Sequence, residues 1–588
     1  MSKIKKILFI LTPYQRKQAV WLLVMLIIVA LLDMIGVASI LPFIAILSNP
    51  GLIETNSILK NMFQISAIFG VDSQKEFFFA SGILVFIILI ISLTFKAFAT
   101  YLQVRFVKRC EYSIGKLLVE GYLNQPYSWF LSRHSTELGR TILSEASQVA
   151  GGGIKPLIEV TAKGTITIAL LLLLIIADTK LALIVGFSLG GSYWTLFYCV
   201  RRYLDRTGKK RLKHDQSRFM SVGEAFNAVK EIKFGGLEKN YVNSFSDSAD
   251  NFARANTSAE MIGLLPRFIL EAVAFGGVLL VILYVMMNTG NFNSALPILS
   301  LYVFAGYRLM PALQQVYVSF TQLTFVGSAI DKLYENIKNI KQTKENLKED
   351  KEILSFNETI SLKNIYYNYP NASMTTLKNI NLNIAAKSTI GLIGTTGSGK
   401  TTTIDIILGL LEPQKGTLEI DGKIITKQNS RSWQRAIGYV PQQIYLADNS
   451  IAANIAFGVE PKNIDLEAVE NAAKTANLHK FVIDELPQKY QTPIGERGVR
   501  LSGGQRQRIG IARALYRNPK LLIFDEATNA LDDQTEKAVM DAVNNLGKNT
   551  TIILIAHRLN TLKNCDAIFK LEKGHLTKQG ALDTFNLN

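Results

Sequence analysis

The stretch Gly394-Thr395-Thr396-Gly397-Ser398-Gly399-Lys400-Thr401 sets three glycines, a lysine and several hydroxyls between two apolar runs. Residues of these types at this spacing can hold a polyphosphate. The glycines let the backbone turn and bring its amides close to phosphate oxygens, Lys400 reaches the β- and γ-phosphates, and the Thr401 hydroxyl ligates Mg²⁺. The run Thr389-Ile390-Gly391-Leu392-Ile393 ahead of the loop reads as a buried strand. Thr402-Thr403-Ile404-Asp405-Ile406-Ile407-Leu408 continues as a helix, whose first amides face the loop and attract anions.

Three more pieces follow. Leu501-Ser502-Gly503-Gly504-Gln505 precedes an apolar run, Leu521 to Phe524, that ends in Asp525-Glu526, and a second run, Ile552 to Ala556, is closed by His557. In this order and spacing the four resemble the nucleotide-binding domain of ABC transporters: phosphate loop, signature, acidic strand end and switch histidine. The resemblance extends to Tyr369 in Tyr-Pro, Gln442 in Val-Pro-Gln, Gly495-Glu496-Arg497-Gly498 and Ala530-Leu531-Asp532. One departure is Asn529, which stands where that last loop usually opens with serine, although an amide also donates and accepts.

The resemblance implies an α/β P-loop domain that binds ATP with Mg²⁺. Tyr369 would stack on adenine, and Gly394 to Thr402 would surround the phosphates. Thr401, Gln442 and Asp525 would serve the metal, and Glu526 would polarise the attacking water. Gln442 and His557 would sense the γ-phosphate. Ser502, Gly503, Gly504, Gln505 and Asp532 would reach the nucleotide of a second copy, so a homodimer with two shared ATP sites is expected.

The chain has 588 residues, too many for one ordinary domain. Its formal charge of +17 invites a nucleic-acid reading, but the lysines and arginines flank apolar spans, so membrane topology explains them and no nucleic-acid partner is expected. Cys110, Cys199 and Cys565 have neither metal-ligand spacing nor a pairing pattern.

A membrane span needs about 20 apolar residues. Six candidates occur, at 19–47, 77–103, 154–177, 181–200, 262–288 and 294–326. The basic segments 105–140 and 201–239 then lie in the cytoplasm with both termini, as expected of a multi-pass protein of the cytoplasmic (inner) membrane. The basic N-terminal stretch around Ile7 to Leu11 is too short to span and reads as an amphipathic segment on the cytoplasmic face. Between spans two and three, and four and five, lie long segments that would form paired helical arms on the order of 35 Å long.

This pattern resembles a six-span ABC exporter, whose coupling helices would fall near Ser132 to Glu137 and Glu224 to Val229. Pro126 and Gly235-Gly236 read either as part of those bends or as ordinary helix punctuation. A possible external helix, Ile58 to Phe69, would bury its apolar face either in the outer bilayer surface or on its own protein. The expected fold is therefore a membrane α-helical domain at 1–330 with six transmembrane helices and long cytoplasmic extensions. A charged linker at 331–353 joins it to an α/β ATP-binding domain at 354–588.

The spans also carry charge: Asp33, Lys96, Glu159, Lys163, Arg267, Glu271 and Arg308. A central charge costs about 2.5–3.5 kcal/mol on insertion scales. Lys163 is expected to pair with Glu159 four residues away, and Asp33 to cap or pair locally. Lys96, Arg267 and Arg308 come from three spans and suggest a cationic cavity for a phosphate-bearing substrate. Leu265 to Glu271, Tyr307 to Pro311 and Ile40-Leu41-Pro42-Phe43 resemble lipid-linked oligosaccharide flippases of the bacterial protein-glycosylation type. That resemblance implies a polyprenyl-pyrophosphate glycan as substrate. An exporter of another lipid, a peptide or a hydrophobic compound is the alternative.

Overall fold

The computed structural model describes residues 2–39, 42–44, 46, 57–68, 70–71, 73–177, 179–289, 292–344, 354–370, 374–495, 498–526, 536–539, 541–542, 550–555 and 562–581. Two compact units divide the chain, Met1–Asn124 with Arg133–Lys344, and Gln125–Ser132 with Glu345–Asn588.

Helices make up the first unit. The predicted spans fall on Pro13–Ala38, Gln74–Leu123, Lys155–Ala177, Thr179–Asn227, Glu238–Thr289 and Phe292–Phe325. Among the described residues, Pro13–Ile44, Gln74–Leu123 and Ser135–Ile176 are long and apolar enough to cross a membrane. At 1.5 Å per residue the 50-residue helix Gln74–Leu123 is about 75 Å long, well over twice a bilayer core. Its remainder is the predicted extension.

The extensions are joined by a buried ionic cluster. Arg140, on Ser135–Arg140, lies between Glu145 at 2.5 Å and Asp215 at 3.3 Å, all three side chains fully buried. Arg218 also engages Asp215 at 2.5 Å, and Lys332 reaches Glu137 at 2.9 Å and Glu145 at 3.5 Å.

Lys332 lies on Gly327–Lys344, where the sequence reading has its linker beginning at Asp331. This helix instead buries Ile330, Leu333, Ile337 and Ile340, a stripe at helical spacing beneath its charged face, so the first unit runs through Lys344. The N-terminal helix Lys3–Ile10 packs on it, burying Ile7 and Ile10, with Phe9 edge-on to Tyr334 and Lys6 paired to Asp331 at 2.7 Å.

Breaks interrupt the helices between the extensions. Short helices occur at Tyr127–Phe130, begun by Pro126, and at Val229–Gly235, ended by Gly236 at φ +61°. Proline and the glycine pair therefore punctuate the chain beside the predicted bends: the break at Ala228 falls within 224–229, and Ser135–Arg140 begins within 132–137. The helix predicted to be external is Ser57–Ala67. It folds back on its own protein, with Leu59, Met62 and Phe63 against Ile46 and Phe77, and the Phe63 and Phe77 rings 5.2 Å apart. Phe69 lies outside the described residues.

The second unit contains two sheets. An antiparallel sheet has the order β2 (Leu377–Ala385), β1 (Thr359–Tyr367), β4 (Lys415–Ile420), β5 (Lys423–Ile424). A six-stranded sheet has the order β10 (His575–Gly580), β9 (Ala567–Glu572), β3 (Thr389–Gly394), β8 (Thr551–Ile555), β7 (Leu521–Asp525), β6 (Ile437–Val440). Its strands run parallel except β10. Every residue of β7 and β8 is buried, as expected of central parallel strands covered on both faces. In such sheets ligands bind beyond the carboxyl ends of the strands. Gly394 ends β3, Asp525 ends β7 and Gln442 lies two residues past β6.

Candidate functional site

The phosphate loop leaves β3 at Gly394, φ +154°, turns through Gly397 at +81° and Gly399 at +104°, and enters the helix Lys400–Ile407. A Cβ on Gly394 would lie 2.3 Å from the Leu571 carbonyl oxygen, and one on Gly399 would lie 2.6 Å from Leu377 Cδ2. Only glycine fits both the conformation and the space.

Lys400 donates to the loop carbonyls of Gly394 at 2.7 Å and Thr395 at 3.1 Å, so its ammonium is held across the mouth of the turn. Burial lowers its pKa, against the opposing pull of Glu526 and Asp525. Among the described residues Ser398 Oγ is buried without a hydrogen-bond partner, while Thr401 is exposed. Loop amides, an ammonium, an orphaned buried hydroxyl and an exposed one form a donor set that fits a polyphosphate with Mg²⁺.

Tyr369 and Thr402 hydroxyls are 3.0 Å apart, and the Tyr369 ring stands edge-on to Tyr367 at 5.2 Å. The aromatic predicted for adenine is thereby fixed to the helix that follows the phosphate loop.

Across from the loop, β7 delivers two acids in different settings. Asp525 is buried and accepts from Tyr439 Oη at 3.3 Å, and burial is the largest influence raising its pKa. Glu526 has φ +53°, a conformation that costs a non-glycine residue and recurs at active sites. Its carboxylate accepts from Gln442 Nε2 at 2.8 Å. When bound, Mg²⁺ would be held by Thr401 and Asp525 and would neutralise phosphate charge. Glu526, held by Gln442, is a carboxylate whose chemistry would suit taking a proton from water.

The structure does not bring the signature to this loop. Ser502 caps the helix Gly503–Leu515, accepting from Gln505 N at 3.2 Å, while Gln505 Oε1 accepts from Ser502 N at 2.8 Å. Among the described residues no hydrogen bond or ion pair joins Ser502, Gly503, Gly504 or Gln505 to the phosphate loop of their own chain. His557, Asp532 and Asn529, with Glu496 and Arg497, lie outside the described residues.

Sequence reasoning missed several residues here. Asp405 lies buried near Asp525, its pKa pushed up to about 6. A lone acid within an apolar helical run was the signal. Arg513, on the signature helix, donates to the carbonyls of Tyr445 and Asn454, both at 2.8 Å, tying that helix to the segment that follows Gln442.

In the membrane unit, Lys96 and Arg308 converge, but on an acid. Asp33 accepts from Lys96 Nζ at 3.2 Å, Arg308 Nη1 at 3.2 Å and Ser92 Oγ at 3.0 Å. Arg267 does not join them. It pairs with Glu271 at 2.7 Å, one turn along its own helix, and is 61% exposed. The expected Lys163–Glu159 pair is absent, because Glu159 accepts from Gln315 at 2.6 Å and Ser319 at 3.3 Å.

Residues 377–529 match the ABC transporter family model. An ATP-dependent lipid A-core flippase of Saccharophagus degradans is 32% identical over 77% of this chain and 76% of its own length. The alpha-hemolysin translocation ATP-binding protein HlyB of Proteus vulgaris is 30% identical over 84% of this chain and 69% of its own. A solved bacterial Atm1-family ABC exporter with ATP bound superposes with a TM-score of 0.72 at 21% identity, covering 95% of this chain and 94% of that one, and so shows the shared fold. With the phosphate loop, the acid pair and the helical spans in one chain, and relatives alike over most of its length, the protein belongs to the ABC transporters, as a membrane exporter whose P-loop domain hydrolyses ATP to drive transport.

Proposed function

We propose that the protein flips a lipid-linked oligosaccharide, carried on polyprenyl pyrophosphate, from the cytoplasmic to the outer side of the cytoplasmic membrane. It acts as a homodimer, with both termini and the ATPase domain (354–588) in the cytoplasm. The observation that carries this reading is the convergence of Lys96 and Arg308 from two spans. Basic side chains at that depth are costly unless they serve an anion, and guanidinium groups hold phosphates in a forked grip. A relative named as a lipid A-core flippase supports a lipid cargo.

In this reading Lys400 and the loop amides bind the ATP phosphates, Glu526 accepts the proton of the attacking water, and Gln442 keeps that carboxylate aimed. Ser502 to Gln505, already capped and ordered, complete the site of the partner copy. His557 and Asp532 join the same composite site. Arg267, exposed on one protomer, contributes to the cavity that two copies enclose.

The test is ATPase stimulation of the purified protein in nanodiscs by a polyprenyl-pyrophosphate glycan and by peptides. Stimulation by the glycan lipid alone is expected. Proteoliposome flipping of a fluorescent lipid-linked glycan should be lost in Arg308→Ala, and flipping at the wild-type rate would refute the charged cavity. Stimulation by peptides alone would assign a peptide exporter.

A further inference from the structure

Four helices of the membrane unit line a cavity of about 180 Å³. Its walls follow helical spacing, with Lys96, Thr100 and Gln103 on the second span and Glu159 and Lys163 on the third. Gln315 comes from the sixth span, and the first adds apolar residues.

The two lysines are held differently. Lys96 is engaged by Asp33, which also takes Ser92 and Arg308. Lys163 forms no hydrogen bond or ion pair among the described residues, although Lys96, Asp33, Glu159 and Arg308 lie within its electrostatic reach. The acid one turn before it is committed to Gln315, Ser319 and, at 3.8 Å, Lys155. Among the described residues four cations, Lys96, Lys155, Lys163 and Arg308, therefore stand against two acids, Asp33 and Glu159, an excess of two positive charges. An ammonium left unpaired in a span beside other cations points to an anion from outside the chain.

We propose that this cavity is a subsite for the pyrophosphate diester of the transported lipid, gripped by Lys163 and Lys96, with Asp33 as an internal counter-ion that positions Lys96 and Arg308 until the ligand takes its place. A pyrophosphate diester carries the two negative charges that the cluster lacks. The inference rests on the phosphate-lipid reading above and adds Lys163, which that reading does not use, and a role for Asp33. Because Asp33 and the ligand compete for the same cations, Asp33 is a specificity residue: an uncharged cargo cannot displace it.

The experiment uses full-length protein in nanodiscs titrated with a polyprenyl pyrophosphate and with the matching uncharged polyprenol. The ligand-induced rise in melting temperature and the half-saturating concentration for ATPase stimulation are both read. Wild type should respond to the pyrophosphate lipid and not to the alcohol. Lys163→Met should raise the half-saturating concentration about tenfold or more, the loss expected for one charge-assisted contact, and Lys163→Arg should restore most of it. Asp33→Asn should lower it severalfold. If that variant does not fold, Ser92→Ala, which loosens the carboxylate, should shift it the same way.

A wild-type response to the pyrophosphate lipid that Lys163→Met matches would overturn the subsite and leave the phosphate-lipid reading intact. An equal wild-type response to the polyprenol would overturn that reading and the subsite with it. Unchanged or weaker binding in Asp33→Asn, or in Ser92→Ala where it stands in, would overturn the counter-ion role.

Discussion

Gln442 Nε2 donates to Glu526 Oε2 at 2.8 Å, joining the residue two positions past β6 to the one that follows β7. Because β6 and β7 are hydrogen-bonded neighbours with parallel register, the two loops leave the sheet side by side. The strained Glu526 backbone then places its carboxylate within reach of the amide.

Replacing Glu526 with Gln should preserve this contact's shape while removing the base. Glu526→Gln is expected to bind ATP within a few-fold of wild type and to hydrolyse it about 10²–10⁴ times more slowly. Lys400→Ala should lose binding, because the loop loses its ammonium. Nucleotide binding and turnover of purified protein check both, and normal turnover in Glu526→Gln would remove Glu526 from the role of base.

Composite sites can be tested by mixing lesions. In covalently linked dimers, Ser502→Arg in one subunit and Lys400→Ala in the other place both lesions in one site and leave the second intact. Activity should return to about half of wild type, whereas either homodimer stays inactive. No recovery in the linked mixed dimer counts against shared sites.

The buried cluster at Arg140 makes a stability prediction. Arg140→Met removes the buried cation shared by Glu145 and Asp215, which keep only Lys332 and Arg218, and should cost about 3–5 kcal/mol, read as a lower denaturation midpoint. Adding Glu145→Gln and Asp215→Asn should recover much of it. An additive further loss would show that the charges are not coupled.

Asp405 predicts a pH dependence. Burial first, and Asp525 second, raise its pKa from 3.8 to about 6 in the folded protein. The native state therefore holds this proton more tightly than the unfolded one, and stability falls as pH rises from about 4 to about 6. Above that window the full penalty, on the order of 3 kcal/mol, is present. Asp405→Asn should melt several degrees higher than wild type at pH 7.5 in nucleotide-free, Mg²⁺-free protein, and the difference should vanish below about pH 4. Parallel melting curves across that range would contradict the buried, charge-destabilised setting.

Much of the ATP site was legible in the chain because its chemistry is local. A phosphate loop needs glycines, a lysine and a hydroxyl in consecutive positions, and strand ends announce themselves as apolar runs closed by acids. The spans were legible for a similar reason, since a bilayer imposes a fixed run of apolar residues wherever the chain crosses it. What the sequence alone could not determine was pairing between distant segments. Lys163 and Glu159 are one turn apart, but Gln315 and Ser319, more than 150 positions away, claim the acid. Lys96 and Arg308 looked uncompensated because Asp33, 63 positions from one and 275 from the other, meets them only when the helices pack. Residues 331–344 looked like part of a linker because their charges mask an apolar stripe that matters only when another helix covers it. Local spacing determines which residues share a helix face, but the partner of a buried charge is chosen by packing, where the cost of leaving it unpaired exceeds any preference along the chain.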